Sequence, residues 1–192
     1  MGQAESCRSG PTSEFCPERL ERVFADCFYR DYATVLAGGA LEPLYQPARE
    51  ADGIHRILYR EDYFASALHE VAHWCIAGDR RRRLTDFGYW YSPDGRTVEQ
   101  QRAFERVEYK PQALEWHFAR ACGYRFRISR DNLEGLAVSP DDGEGFKRQV
   151  QRQAAQWQSH GLPERAQCFV AALRREFSPA RVHVPFSLAE LD

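Results

Sequence analysis

The stretch DYFASALHEVAHWCIAG (residues 62–78) decides the fold of this chain. Its apolar residues recur with the period of one helix face, at Phe64, Leu68, Val71, Ala72 and Cys75. We predict a helix over 62–77, with Asp62 as its N-cap and Gly78 directly after its last turn. This helix is the starting point for the other predictions, because it carries the residues with the clearest chemistry.

Two histidines on this helix have the spacing of a metal chelate. His69 and His73 are four residues apart, so on a helix they lie one turn apart on the same face. Imidazoles beside apolar surface need partners, and one cation serves both. Glu70 points about 100° away from His69, which favours a catalytic role, polarising a metal-bound water or orienting a ligand. The alternative is a chance pair of histidines on an ordinary helix.

A carboxylate is expected as the third ligand, because two imidazoles leave an ion under-coordinated. The segment VEYKPQALEW (107–116) offers two candidates, Glu108 and Glu115. We favour Glu108, since Pro111 is expected to start a helix and to place Glu108 at a rigid boundary facing the histidines. Either glutamate could instead be a solvated surface residue paired with a neighbouring cation.

The remaining apolar patterns predict an α+β fold in which helices pack on a small mixed sheet. Helices are predicted from Pro17, over 97–107, from Pro111 to Cys122, around 146–157 and from Pro163. Strands are predicted at 54–59, 86–91 and 124–128, and Gly38-Gly39 marks a turn. Residues 1–13 are expected to be a flexible tail, and residues 14–192 a single metal-binding domain.

Composition argues against several classes of function. The 192-residue chain has a net charge of −2 and a pI of about 6.3, which argues against direct nucleic-acid binding. No apolar run is long enough to span a membrane, and six cysteines without zinc-finger spacing indicate reduced thiols. We therefore expect a cytoplasmic protein. The run Arg80–Arg83 is either a solvated helix end or a docking patch for an acidic protein.

Other polar and aromatic residues are candidates for a substrate pocket. Tyr89 and Trp90 lie in an aromatic block between the histidines and the glutamates, and we predict that they wall the pocket. Asp131 and Glu134 lie in a polar loop that would offer acidic contacts to a cationic substrate. Glu115 joins this set if Glu108 is the metal ligand.

Four segments together resemble the bacterial elongation factor P hydroxylase family: HEVAHWCIAG (69–78), DFGYWYSPDGR (86–96), VEYKPQALEW (107–116) and DNLEG (131–135). The resemblance extends over about residues 17–177. It implies a non-haem iron enzyme that uses dioxygen to hydroxylate a lysine of elongation factor P already extended by a β-lysyl group.

The same resemblance implies a metal site and a fold. The site is similar to an Fe(II) centre of two histidines and one carboxylate, here His69, His73 and a glutamate. A purified sample could carry zinc or another divalent ion instead. The implied fold resembles that of a bacterial metal-dependent endoribonuclease.

Two other functions remain open on the sequence. An intracellular zinc metallopeptidase would use Glu70 as general base and the ion as Lewis acid, although the HxxGxxH extension of one peptidase class is absent. A metal-stabilised interaction module would close its coordination shell with protein ligands and catalyse nothing. Metal identity and an assay on modified elongation factor P distinguish the three.

Overall fold

The computed structural model describes residues 14–50, 53–85, 97–129, 140–179 and 184–191. These residues form five α-helices and three strands: α1 (Pro17–Tyr32), β1 (Thr34–Ala40), β2 (Leu44–Gln46), β3 (His55–Arg60), α2 (Phe64–Ile76), α3 (Val98–Cys122), α4 (Pro140–His160) and α5 (Glu164–Phe177). Short 3-10 turns lie at Arg81–Arg83 and Leu188–Glu190. The predicted α+β class, helices on a small mixed sheet, is confirmed. The likeness to an endoribonuclease stays a prediction, as does the single domain, and the predicted tail at 1–13 lies outside the described residues.

The sheet places α2 against the core. Its strand order is β1-β3-β2, with β1 parallel and β2 antiparallel to the central β3. The strand predicted at 54–59 is confirmed as β3, which begins one residue later. Ile57 and Tyr59 on β3 are buried in the same cluster as Leu68 of α2. The two elements follow each other directly in the chain, so the sheet fixes where α2 starts.

The strand β1 contains the two glycines from which a turn was predicted, and that prediction is wrong. A Cβ on Gly38 would lie 2.7 Å from the Glu61 carbonyl oxygen and 2.8 Å from the Tyr59 hydroxyl. The strand therefore needs glycine where it passes this close to its neighbours. Gly39 has a φ of 85°, which costs little only for glycine. Together they mark a register shift inside the strand.

The helix α2, which carries both histidines, begins later than predicted. Phe64 is its first residue, and Tyr63 precedes it without a side-chain cap, so the assignment of Asp62 as N-cap is wrong. The start is set instead by burial, because Phe64 packs in the hydrophobic core. Both histidines still lie well inside the helix, which the site requires.

The C-terminal end of α2 is capped by another helix rather than by glycine. Ala77 leaves the helix in an extended conformation, and Gly78 does not have the left-handed backbone expected of a glycine stop. Arg165 of α5 donates hydrogen bonds to the carbonyl oxygens of Cys75, at 3.1 Å, and of Ala77. A distant guanidinium thus satisfies carbonyl groups that the helix leaves free.

The helix α3 is continuous over 25 residues, so the two helices predicted on either side of Pro111 are one. A capping box at Thr97 starts it, and Gly123, with a φ of 77°, ends it. Pro111 has no N–H to donate to the Val107 carbonyl one turn earlier, a cost of about 3 kcal/mol. Residues 111–116 are buried, and burial of each large apolar side chain stabilises the fold by about 1.5–3 kcal/mol. This burial outweighs the cost of the proline.

Residues 124–129 have no regular secondary structure, so the strand predicted at 124–128 is wrong. The backbone of this segment forms hydrogen bonds with a side chain and not with a neighbouring strand. Gln112 accepts a hydrogen bond from the Ser129 N–H at 3.0 Å and donates one to its carbonyl oxygen at 2.7 Å. Phe126 stacks on Trp116 with ring centroids 5.5 Å apart. The strand predicted at 86–91 lies outside the described residues.

One hydrophobic cluster contains buried residues from all five helices and from β1 and β3. The helices predicted from Pro17, around 146–157 and after Pro163 are confirmed as α1, α4 and α5. Aromatic contacts join α1 to α2: Trp74 lies 5.2 Å from Phe24 and 4.8 Å from Phe28 between ring centroids. None of the described helices combines the length and apolar character needed to cross a membrane.

His117 on α3 makes the stability of this core depend on pH. Its Nε2 donates a hydrogen bond to the Ala154 carbonyl oxygen at 3.0 Å, and burial lowers the pKa of His117 to about 4. The unfolded chain binds a proton on this imidazole below about pH 6.5, but the folded protein binds it only near pH 4. Stability is therefore lost as the pH falls through this window.

We expect His117→Gln to lose less stability than the parent between pH 7 and pH 4, by up to about 3 kcal/mol. The measurement is the free energy of unfolding in urea at each pH. Glutamine keeps a hydrogen-bond donor but does not titrate. His160→Gln, at the exposed end of α4, is the control and should leave the pH dependence unchanged. Parallel curves for the parent and His117→Gln would show that this imidazole is not responsible.

Candidate metal centre

The helices α2 and α3 bring four polar side chains together. His69 and His73 lie one turn apart on α2, and Glu108 and Glu115 lie two turns apart on one face of α3. His69 contacts both glutamates, whereas His73 contacts Glu108. The helices therefore run antiparallel at this contact. The prediction that Glu108 precedes a helix is wrong, because α3 already includes it.

Three of these side chains converge on one point. The two Nε2 atoms of His69 and His73 face each other at 3.0 Å. Glu108 places Oε1 3.3 Å from His73 Nε2 and Oε2 3.4 Å from His69 Nε2. Among the described residues these three form a group whose ligand atoms all lie within 4.8 Å of one another. Two imidazole nitrogens and a carboxylate in this arrangement match the donor set of a divalent metal ion.

The environment of Glu108 fits a cation. Its side chain is 3% exposed, and Oε2 is buried with no hydrogen-bond partner in the described part of the chain. An unpaired carboxylate oxygen in the interior is costly unless a positive charge compensates it. A metal ion at the meeting point of the three side chains would supply that charge and use both imidazoles.

Glu115 lies on the other side of His69. Its Oε2 is 2.8 Å from His69 Nδ1, whereas Nε2 of the same ring faces His73. A carboxylate bound to Nδ1 fixes the tautomer and the ring orientation of a metal-binding histidine. Glu115 therefore has the position of a residue that orients His69, rather than that of a rival ligand.

The ionisable groups of the site shift one another's protonation. Burial on its own lowers the pKa of His69, but its contacts with Glu108 and Glu115 outweigh burial and hold that pKa well above its usual value. Burial raises the pKa of Glu108, yet His73 and His69 outweigh it and hold that pKa well below its usual range. Burial raises the pKa of Glu70 and of Glu115. Glu108 is thus the carboxylate best kept ionised, the state that binds metal.

A cavity of about 340 Å³ borders the site. His73 and Glu70 form part of its wall, with Trp74 and Tyr109 nearby in the same wall. Its volume is within the range of small-molecule sites. A ligand in this cavity would lie beside the histidine and glutamate cluster and could reach Glu70.

Comparison with known proteins places the chain in a family. A family model described as elongation factor P hydroxylase matches residues 23–185, which include α2, α3 and the whole histidine and glutamate cluster. The chain belongs to the elongation factor P hydroxylase family. A Haemophilus influenzae protein named elongation factor P lysine hydroxylase is 47% identical over 156 residues, 81% of this chain and 86% of that protein. The resemblance inferred from four sequence segments is confirmed.

In this member of the hydroxylase family, four residues predicted for the substrate pocket lie outside the described residues: Tyr89, Trp90, Asp131 and Glu134. They stay predictions. The fifth, Glu115, is placed against His69 Nδ1, and the cavity wall contains Glu70 and His73 instead.

The arginine run after α2 is divided between the cavity and solvent. Arg81 and Arg82 line the cavity, and Arg82 forms an ion pair with Asp79. Arg83 is exposed and is not part of the cavity wall. A docking role for the run stays a prediction.

Sequence reasoning missed two residues that hold the surroundings of the centre. Gln112 ties residues 124–129 to α3 next to the glutamates, and Arg165 caps the C-terminal end of α2. Their partners lie 17 and about 90 positions away in sequence. No local pattern signals either contact, although a glutamine between apolar residues on a buried helix face is a hint of a polar partner.

Glu115→Gln is expected to weaken metal binding by about 10–100-fold, the usual effect of losing the partner that orients a ligand. Glutamine keeps the size of the side chain and a hydrogen bond to Nδ1, but not the charge. The measurement is a competitive titration with a metal-binding dye. Unchanged affinity would show that Glu115 does not support His69, and complete loss would make it a ligand.

Proposed function

We propose that this protein hydroxylates a lysine of elongation factor P that already carries a β-lysyl group, using Fe(II) and dioxygen. The observation that carries the proposal is the convergence of His69, His73 and Glu108 on one point. Membership of the hydroxylase family supports the reaction type, and the named activity of the Haemophilus influenzae relative supports elongation factor P lysine as the substrate. A translation factor as substrate also supports the expected cytoplasmic location and the absence of membrane or nucleic-acid partners.

Iron is proposed over zinc from the donor set and the reaction class together. Two histidines and one carboxylate on one face of an ion leave positions free for dioxygen, and this set is typical of non-haem Fe(II) oxygenases. Among the described residues, three side chains form the cluster, and these three would hold the ion. Bound Fe(II) would supply the activation of dioxygen that a hydroxylation needs.

The residues of the chain have separate tasks in this proposal. Glu108 holds the negative charge of the centre, and its burial excludes water from its oxygen atoms. Glu115 fixes the ring of His69 through Nδ1. Glu70, on the cavity wall, is the proposed catalytic group, because burial raises its pKa and lets the carboxyl hold a proton beside the substrate.

The predicted pocket residues complete the proposal. Tyr89 and Trp90 would shield the reacting C–H bond from water, as a hydroxylase requires. Asp131 and Glu134 would bind the cationic end of the extended lysine. These four roles are tested by alanine variants, which should raise KM for modified elongation factor P more than they lower metal content.

A direct assay tests the function. Protein prepared without oxygen is loaded with Fe(II) or with Zn(II) and then mixed with air, with β-lysylated elongation factor P and with a two-electron donor such as ascorbate, which reduces the second oxygen atom to water. We expect a mass gain of one oxygen atom on the modified lysine with Fe(II) and none with Zn(II). The His73→Ala variant in Fe(II) is the matched control. Absence of the mass gain with Fe(II) and every electron donor tried would contradict the proposal.

The zinc metallopeptidase alternative has no support from the comparisons, since both name a hydroxylase. The same reaction mixtures also test the peptidase alternative. Cleavage of elongation factor P by the zinc-loaded protein, without any oxygen gain, would favour the peptidase. Intact substrate in zinc would exclude that activity on this protein.

A further inference from the structure

Two free cysteines from different helices contact each other away from the metal centre. Cys27 lies on α1 and Cys168 on α5, and both are free thiols. Their side chains are in contact, although they are far apart in the sequence. Neither residue belongs to the histidine and glutamate cluster or to the cavity wall, so the proposed function does not account for this pair.

The packing of α1 on α5 places the two cysteines opposite each other. Arg19, near the start of α1, forms an ion pair at 2.9 Å with Glu176, near the end of α5, so the two helices are antiparallel. Cys27 lies eight residues after Arg19, and Cys168 lies eight residues before Glu176. Equal steps along two antiparallel helices lead to residues that again face each other. The contact between the thiols therefore follows from the register of the helices.

Aromatic rings next to the two thiols fix this part of the helix interface. Phe24 and Phe28 on α1 contact Phe169 on α5, with ring centroids 6.1 Å and 6.2 Å apart. All three rings are buried. Phe28 follows Cys27 directly, and Phe169 follows Cys168. The thiols thus lie at the border of the packed core, and their helices cannot separate without exposing these rings to water.

The two thiols differ in access and in acidity. Cys168 is exposed, whereas Cys27 is half-buried. Burial and the neighbouring Cys168 thiol raise the pKa of Cys27 to about 12. Because the thiolate is the nucleophile in cysteine chemistry, Cys27 is a poor attacking group near neutral pH. Cys168 is the thiol that meets an oxidant from solvent.

We propose that Cys27 and Cys168 form a reversible disulfide in the folded protein when it meets hydrogen peroxide. The Cys168 thiolate attacks one oxygen of the peroxide, the O–O bond breaks, and Cys168 becomes a sulfenic acid. The Cys27 sulfur then displaces the hydroxyl group from the Cys168 sulfur, and this group leaves as water with the Cys27 proton. Overall the two thiols lose two electrons and two protons, and the peroxide becomes two water molecules. A dithiol reductant returns both electrons.

The disulfide would join α1 to α5 near the C-terminal end of α2. Arg165 lies one turn before Cys168, and it donates hydrogen bonds to the carbonyl oxygens of Cys75 and Ala77. The bond would close a loop of roughly 140 residues that includes α2. Closing so long a loop restricts the unfolded chain, so we expect oxidation to raise Tm by about 5 °C or more. The proposal holds whether or not the protein hydroxylates elongation factor P.

Peptide mapping by mass spectrometry tests the proposal. Zinc-loaded protein, whose metal has no redox chemistry, is treated with a small excess of hydrogen peroxide, its remaining thiols are blocked, and it is cut with trypsin. Cleavage after arginine releases Cys27 in peptide 23–30 and Cys168 in peptide 166–174, each with a single cysteine. We expect these two peptides, joined with the loss of two hydrogen atoms, as the main linked product. Dithiothreitol should separate them.

Variants assign the roles of the two thiols. Cys27→Ser should leave Cys168 as a sulfenic acid, which dimedone traps on peptide 166–174. Cys168→Ser should leave Cys27 without oxidation or dimedone, because its own thiolate is scarce. Cys16→Ser removes another half-buried thiol, one that contacts Glu18 instead of a cysteine. This control should form the same disulfide as the parent protein.

Four results would overturn the proposal. A main link from Cys168 to Cys75 or to a second protein molecule would assign a different pair. An equal yield of the 23–30 and 166–174 link from protein unfolded in urea would show that the fold does not prepare the disulfide. Equal dimedone labelling of the two single variants would remove the distinction between the thiols. A lower Tm after oxidation would show that the folded protein resists the bond, and this measurement and the mapping need no variant.

Discussion

Glu108→Gln is expected to remove tight metal binding while the helices remain folded. Glu108 is the carboxylate among the three converging ligand atoms, and glutamine matches its size but carries no charge. Affinity for Fe(II) should therefore fall by more than about 100-fold, beyond the usual effect of losing an outer partner. An oxygen-free Fe(II) titration measures the affinity, and circular dichroism checks that helix content is retained.

Comparison with Glu115→Gln makes this result specific. Both variants replace a buried carboxyl group on the same helix face, but Glu108 lies between the two Nε2 atoms and Glu115 at His69 Nδ1. We expect the larger loss of affinity for Glu108→Gln. The opposite ranking would transfer the ligand role to Glu115.

His69→Ala and His73→Ala are each expected to abolish metal binding and hydroxylation without unfolding the protein. Their side chains are 24% and 17% exposed, so both lie at the edge of the core and not inside it. The core therefore does not depend on them, whereas the ion loses a nitrogen ligand it cannot replace. Metal analysis, the mass assay and thermal unfolding measure the three properties.

An exposed histidine provides the control for these variants. His160→Ala, on the solvent side of α4, should keep both metal and activity. Unfolding of His73→Ala together with metal loss would instead favour a structural role for the ion, since metal binding and folding are then coupled. Normal turnover in either variant would show that the catalytic centre lies elsewhere.

The histidine pair could be predicted because its geometry is local. A spacing of four residues on a helix sets the relation of His69 to His73 whatever the rest of the fold does. The choice between Glu108 and Glu115 depended on the path of another helix, and the wrong helix start at Pro111 gave a reason for Glu108 that the structure does not support. What separates the two glutamates is which nitrogen of His69 each one meets, and no sequence pattern contains that information.

The sheet shows the same division between local and distant information. β3 has a clear pattern, but β1 contains two glycines that local rules interpret as a turn. The strand tolerates both glycines because Gly38 passes close to Tyr59 on β3 and to Glu61 directly after β3. Residues 124–129 present the opposite case. Their alternating pattern predicts a strand, but Phe126 packs on Trp116 and the Ser129 backbone binds Gln112, so the segment pairs with no strand of the described residues.

Anomalous diffraction from crystals of the Fe(II)-loaded protein, recorded on both sides of the iron absorption edge, tests the central claim most directly. We expect one iron peak within bonding distance, about 2.0–2.2 Å, of His69 Nε2, His73 Nε2 and a Glu108 oxygen, with Glu115 still on His69 Nδ1. An iron peak at any other set of residues, or a peak bonded to Glu115 and not to Glu108, would contradict the account.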